Sequence, residues 1–406
     1  MVGKTKIQEI DLGKEDTTWD EIDEKKKSCL KQILRPILLA MAIAGCYNFS
    51  DLIYIQKSEN DKTSVKWVLS LMYRLVLLLV TLAATARYAC ILFYLPSDYQ
   101  YIAILCLVWA LHLVTQLLLS FKTTSRKYGH YEKAFQHWES VIIPESRQLG
   151  LRCPVAQIRR QTITAVIIGM AIIILNVVSI GIQLEVSADP VFYLFPLSET
   201  HWSKMFYIFL MLMSSLVWIV PQANAIILSK TLTTVFTVYN ETFEKQITDN
   251  KNNLPENFPR MRQLHINICK LVEELDNDMG WFYATDMGFM IFLTVFTLYQ
   301  IVKTTMDTFS LVMYFFWFLS GIAIVVFTTS FAAFTHEAAH APLDTIYYIN
   351  VQDITVEKLA QLNLFLSKLT GTQVGFTTCG LLTITKEFIL TIAGVFLTYF
   401  AVLYTL

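Results

Sequence analysis

Metal chemistry is spelled once in this sequence, as His336-Glu337-Ala338-Ala339-His340. Two histidines one helical turn apart could hold zinc with the glutamate as general base, and Asp344, four residues on, could supply a third ligand. On that reading the chain is an intramembrane zinc metalloprotease. Three features weigh against it. The motif falls where an apolar run meets the cytosol, Pro342 interrupts the helix before Asp344, and histidines at a helix C-terminus also serve as caps. We therefore assign no catalytic residue and no metal ligand, expect no cofactor, and read the chain as a non-enzyme. It has no glycine-rich phosphate loop and no nucleophile beside a base. A small-molecule carrier is the second alternative, disfavoured because the two halves lack short, Gly/Pro-broken spans at matched positions.

The remaining chemistry depends on where the chain puts its apolar residues. Of 406 residues, 54% are hydrophobic and 16% charged, against about 25% charged in an average soluble domain. The apolar residues gather into seven runs long enough to cross a bilayer, at about 67–95, 99–121, 162–184, 205–228, 281–302, 310–334 and 374–406. The expected fold is all-α, with seven transmembrane helices. An eighth stretch, Leu30 to Phe49, is too short to span and reads as a helix lying under the first crossing; an eighth crossing is the alternative.

Charge gives the helices a direction. Of 32 Lys and Arg residues, 28 fall in segments 1–66, 122–160, 229–280 and 335–386, while Lys204 and Lys303 lie opposite. This bias toward the cytoplasm predicts an N-terminus inside and, after seven crossings, a C-terminus outside. The start of the chain lacks the pattern of a signal peptide. That topology is the reverse of a G-protein-coupled receptor, and the chain also has no DRY-like triplet after the third run and no NPxxY in the last helix. Both glycosylation sequons, at Asn48 and Asn240, fall on the cytoplasmic side and should be unmodified. The seven cysteines imply no disulfide framework, and no nucleic-acid partner is expected.

Helical periodicity continues outside the spans. Leu264, Ile268, Leu271, Val272 and Leu275 share one face, the stretch 250–259 is a break, and 356–370 is an amphipathic helix. These extensions should pack as a cytoplasmic bundle. At membrane depth, Arg74 and Arg87 are expected to snorkel to opposite surfaces, and Asp286 to be paired or interfacial.

At the C-terminus, Cys379-Gly380-Leu381-Leu382-Thr383-Ile384-Thr385-Lys386, then FILTIAG from Phe388, then Thr398-Tyr399 and FAVLYTL, resemble the seventh helix of insect gustatory receptors. The family's signature is TY, five mostly apolar residues, then QF. Here Thr398-Tyr399 and the spacer are intact, Gly394 matches a family glycine, and Thr405-Leu406 replace QF. Arg260 to Gly280 and HEAAHAPL resemble the segments before the fifth helix and after the sixth, which gives HExxH a structural alternative.

The resemblance implies a homotetrameric, tastant-gated, nonselective cation channel in the plasma membrane, in contact with lipid. Its parts would be a cytoplasmic region with a membrane-flanking helix (1–66), a ligand-binding bundle (67–334), an anchor segment (335–378) and a pore-lining helix (379–406). Thr398, Val402, Leu403, Thr405 and Leu406 are the pore and gate candidates; ordinary helix packing is the alternative. Four terminal carboxylates would then ring the outer mouth and attract cations. Ligand contacts are expected in the outer half of helices two to six, from Tyr101, Trp109, Asn176, Gln183, Trp202, Tyr207, Tyr299, Gln300, Tyr314 and Trp317. Aromatic faces with a few amides suit a sugar or other small polar organic molecule, though such residues also form interfacial belts.

Overall fold

The computed structural model describes residues 29–49, 52, 65–94, 100–124, 129–186, 191–305, 307–352 and 354–405. Seven long helices carry the fold: α3 (Val65–Tyr94), α4 (Gln100–Thr123), α7 (Val155–Val186), α9 (His201–Asp249), α10 (Phe258–Lys303), α11 (Thr308–His340) and α14 (Lys386–Thr405). Between and before them lie α1 (Leu30–Ile33), α2 (Arg35–Ile43), α5 (Tyr131–His137), a π turn (Trp138–Ile142) and α6 (Ile143–Gln148). Short α8 (Val191–Leu194), α12 (Pro342–Tyr347) and α13 (Val356–Gly371) complete the set. Among the described residues, six helices have the length and hydropathy of a membrane span. The seventh, α14, has 20 residues, about 30 Å at 1.5 Å per residue, which also suffices.

Helix α2 packs against α7 and α9. Pro36 sits in its first turn, where a missing N–H costs nothing. Its 9 residues reach only about 14 Å, so it crosses half a bilayer at most. Ile33, Leu34, Ile37, Leu38 and Ala42 are buried, which makes this stretch part of the core and not an eighth crossing. Arg74 does not snorkel. It is buried in α3 and donates to the Gly45 carbonyl at 3.0 Å, Thr124 Oγ1 at 2.8 Å and Ser120 Oγ at 3.2 Å, tying α2 to the first two spans.

The long helices α9 and α10 run well beyond the membrane. Their ends meet α13 in a cytoplasmic bundle, where Leu264, Ile268, Leu271, Val272 and Leu275 are all buried, as their spacing predicts. The break between α9 and α10 covers 250–257, with Lys251 and Asn252 at φ 55° and 62°. Phe365 of α13 is the keystone, meeting the rings of Phe243, Phe258 and His265. Asn240 Nδ2 donates to the Ala338 carbonyl at 2.8 Å, a bond a glycan would break.

His265 sits in this bundle as a neutral ring, donating from Nε2 to the Ala339 carbonyl at 2.9 Å. Burial pushes its pKa down from 6.5 to about 4. The unfolded chain therefore binds the extra proton first, so stability is full above pH 6.5 and falls as pH drops toward 4. The expected loss is about 3 kcal/mol per chain. Thermal unfolding of the purified protein across that window checks it, and His265→Gln should flatten the dependence.

The last hydropathy run splits in two. Residues 386–405 form α14, but the part before it makes a β-hairpin in which β1 (Thr377–Thr378) pairs with β2 (Leu382–Thr383). The seventh helix thus begins at Lys386, seven residues after the start read from the sequence. Cys379 and Gly380 turn the hairpin at φ 55° and 71°, the left-handed pair a type I′ turn needs. Both hydropathy and helical spacing are blind to so short a ribbon.

Candidate functional site

In the outer half of the bundle, five helices turn one face each toward a cavity of about 110 Å³. From α4 come Ile102, Leu105, Cys106 and Trp109, spaced as one helical stripe, and α7 adds Asn176, Ile180 and Gln183 in the same manner. Helix α9 contributes Tyr207, Met211 and Trp218; α10 contributes Met290, Leu293, Thr294 and Thr297. Helix α11 closes the wall with Met313, Tyr314, Trp317 and Gly321. A Cβ at Gly321 would lie 2.5 Å from Thr294 Oγ1, so a larger residue here would force the Thr294 hydroxyl to move.

Two hydrogen-bond chains set the shape of the walls. Trp317 Nε1 donates to Asn176 Oδ1 at 3.0 Å, and Asn176 Nδ2 donates to Ser215 Oγ at 2.9 Å. This fixes the indole and three helices together. Gln183 Nε2 donates to Ser310 Oγ at 3.1 Å, and that hydroxyl donates to Asp307 Oδ2 at 2.6 Å. Asp307 caps α11 by accepting from the amides of Phe309 and Ser310, and the Ser310 hydroxyl first, then those amides, hold its carboxyl below the usual carboxylate range. Among the described residues, one acceptor, Gln183 Oε1, one donor, Trp218 Nε1, and the hydroxyl of Thr294 meet no hydrogen-bond partner. The walls are otherwise apolar and aromatic, with Trp109 edge-on to Trp218 at 6.3 Å.

On the outer side a lid closes the space. Tyr193, from α8 in the loop between α7 and α9, lines the cavity alongside Tyr88. Arg87 holds that loop by donating to the carbonyls of Phe192 at 2.8 Å, Tyr193 at 2.6 Å and Phe195. It too is bonded to protein where snorkelling was expected. Alanine at Arg87 should free the lid and speed ligand washout about tenfold, since each bond to a charged donor contributes about 1.5–3 kcal/mol. Measured dissociation rates check this.

Six residues singled out from the sequence line the cavity: Trp109, Asn176, Gln183, Tyr207, Tyr314 and Trp317. Four do not. Trp202 is 82% exposed and Tyr101 47% exposed, as a membrane-interface belt requires. Tyr101 leans on Tyr299 at 5.9 Å, and the next residue, Gln300, is buried and accepts from Thr304 at 3.1 Å. The lid residues and the methionines escaped sequence reading. Spacing from Trp109 back to Cys106 and Ile102 was the available signal.

HEAAH does other work here. His336 Nδ1 donates to the Val374 carbonyl at 2.9 Å, and His340 Nδ1 to the Leu369 carbonyl at 2.9 Å. His340 Nε2 then accepts from the Val374 amide at 3.2 Å, which uses both nitrogens of a neutral ring. Burial, and His336 beside it, hold the His340 pKa below its usual value. Glu337 pairs with Lys386, and Asp344 is exposed. Among the described residues no set of three His, Cys, Asp or Glu side chains could hold a metal. The motif clamps the linker that leads into α14.

The same linker is pinned from α10. Asp276 accepts from the Thr377 amide and from its hydroxyl, both at 2.6 Å, and the Gly280 carbonyl accepts from the Cys379 amide at 3.1 Å. Helix α14 itself lies on α10 and α11 through Phe388, Ile392 and Phe396. Its other face, including Leu390, Leu397, Thr398 and Val402, is exposed. Of the pore and gate candidates, the side chains of Leu403 and Thr405 and all of Leu406 lie outside the described residues.

Six of the seven long helices line an aromatic-rich cavity, and the seventh, α14, packs outside it. The chain belongs to the 7tm chemosensory receptor family, whose family model matches residues 34–404. Among solved structures, it is similar to the insect olfactory receptor OR5 from Machilis hrabei in complex with eugenol. That match has 12% identity and a TM-score of 0.70 over 93% of this chain and 98% of that one. A second structure of OR5 matches at 13% identity and TM-score 0.68, over 92% and 98% of the two chains. No curated protein matches the sequence.

Proposed function

We propose that this chain is the subunit of a homotetrameric, nonselective cation channel of the gustatory type, opened by a small molecule in the outer cavity. The cavity carries the reading: it is rich in aromatic side chains and offers a few polar atoms without a partner among the described residues. Thr398-Tyr399 and Gly394 support the gustatory branch. The apolar outer face of α14 supports assembly, because four copies around an axis would bring Thr398 and Val402 together as a hydrated path with an aliphatic constriction.

Cavity size favours one ligand class. A void of about 150 Å³ holds benzene, so at about 110 Å³ the cavity favours the smallest class, a compact, mostly apolar molecule with one or two hydrogen-bonding groups, admitted as flexible wall residues such as Met211, Met290 and Met313 move aside. A sugar would bring more hydroxyls than Gln183 Oε1, Trp218 Nε1 and Thr294 Oγ1 can serve, leaving polar groups unpaired. OR5 in its complex binds eugenol, a molecule of the favoured class.

The test is whole-cell current in cells that express this chain alone, challenged with single-ring phenols and monosaccharides. We expect phenol-evoked cation current that survives block of G proteins. Saturable uptake without current would instead make the protein a carrier.

A further inference from the structure

Directly beneath the cavity, at membrane depth, lies a polar cluster that the ligand reading does not use. Three helices that line the cavity each place a polar residue one turn toward the cytoplasm: His112 after Trp109 on α4, Gln222 after Trp218 on α9, and Asp286 before Met290 on α10. His112 and Asp286 have 0% exposure and Gln222 has 2%. A carboxylate at this depth needs compensating charge.

One neighbour faces it, and that neighbour is shared. Among the described residues the ion-pair partner of Asp286 is His112, with Nε2 at 3.3 Å from Oδ1. That same Nε2 meets the Gln116 side-chain amide at 2.9 Å. Phe289, stacked on the ring at 5.1 Å, offers no donor.

Hydrogen bonding is equally one-sided. Gln222 Nε2 donates to Asp286 Oδ1. Asp286 Oδ2 and Gln222 Oε1 are buried acceptors that meet no protein donor. Pro221 lies inside α9 and has no N–H, so the Val217 carbonyl, one turn earlier, also loses its helical donor. Among the described residues the unpartnered atoms here are the oxygens Asp286 Oδ2 and Gln222 Oε1 and the Nδ1 of His112; paired oxygens, one of them on a carboxyl, are the ligand chemistry of a small hard cation and not of zinc or copper.

We propose that His112, Gln222 and Asp286 form the wall of a sodium site under the floor of the ligand cavity, with Asp286 and Gln222 as direct oxygen ligands. Sodium fills the orphan acceptors and joins α9 and α10 below the ligand, beside His112 of α4. Because it rests on these three helices alone, the site stands whether or not the protein conducts ions.

The test uses the purified full chain in detergent without ligand. Sodium chloride replaces N-methyl-D-glucamine chloride at constant ionic strength while the thermal unfolding midpoint is followed. We expect a saturable rise of several degrees, a smaller one with potassium chloride, and one radioactive sodium ion bound per chain at saturation. Asp286→Asn should abolish the sodium dependence. If that variant does not fold, Gln222→Ala, which keeps the charge, should raise the half-saturating sodium concentration about tenfold or more. The proposal is overturned if the wild-type midpoint follows ionic strength alone, if potassium stabilises equally, or if Asp286→Asn or Gln222→Ala titrates like the wild type.

Discussion

Replacing Trp317 by alanine is expected to weaken ligand response about 30- to 150-fold, a loss of about 2–3 kcal/mol of the kind a buried tryptophan anchor gives up. The indole does two jobs: its face forms cavity wall, and its N–H satisfies Asn176 Oδ1 at 3.0 Å. Phenylalanine separates them. Trp317→Phe keeps an aromatic wall but strands a buried amide oxygen, a cost of about 1–3 kcal/mol. Concentration–response curves for both variants, normalised to surface protein, provide the measurement. If Trp317→Phe matches the wild type while alanine does not, only the wall matters and the Asn176 chain is incidental.

Asp276→Ala should have an effect of similar size with a different character. Asp276 makes two 2.6 Å bonds to Thr377, at the start of the hairpin that carries α14. Burial raises its pKa, yet the Thr377 amide and hydroxyl are both aimed at the carboxyl. Losing both contacts removes about 3 kcal/mol or more from the joint between α10 and α14. The cavity lies elsewhere on α10, so ligand affinity should hold while evoked current falls at least about tenfold. Thermal-shift binding measured beside current distinguishes the two. A variant that loses both equally would mark Asp276 as a folding residue and not a coupling one.

These two positions also show how far the sequence can be read. Trp317 was legible, because tryptophans are few and this one lies about one turn from Tyr314 in the outer half of the sixth span. Trp202 looked the same in sequence and belongs to the interface, since residue type alone does not tell belt from cavity. The seven spans and the direction of the chain followed from hydropathy and from the placement of Lys and Arg. Asp276 was not legible: its role depends on meeting Thr377, 101 positions away. Nor was the fate of His336 and His340, whose spacing satisfies a zinc template equally well. Only the carbonyls of Val374 and Leu369, brought back by the chain, decide between ligand and clamp.

Helix α9 is unbroken over 49 residues yet contains Pro221. From there to Asp249 is about 40 Å of rigid rod at 1.5 Å per residue. A proline inside a helix is where bending concentrates, and this one sits a single turn below Trp218. The geometry is that of a lever pivoted just under the ligand. Turning the rod by about 2° at that pivot carries its cytoplasmic tip more than about 1 Å, a mechanical gain that no change in the cavity itself needs to match.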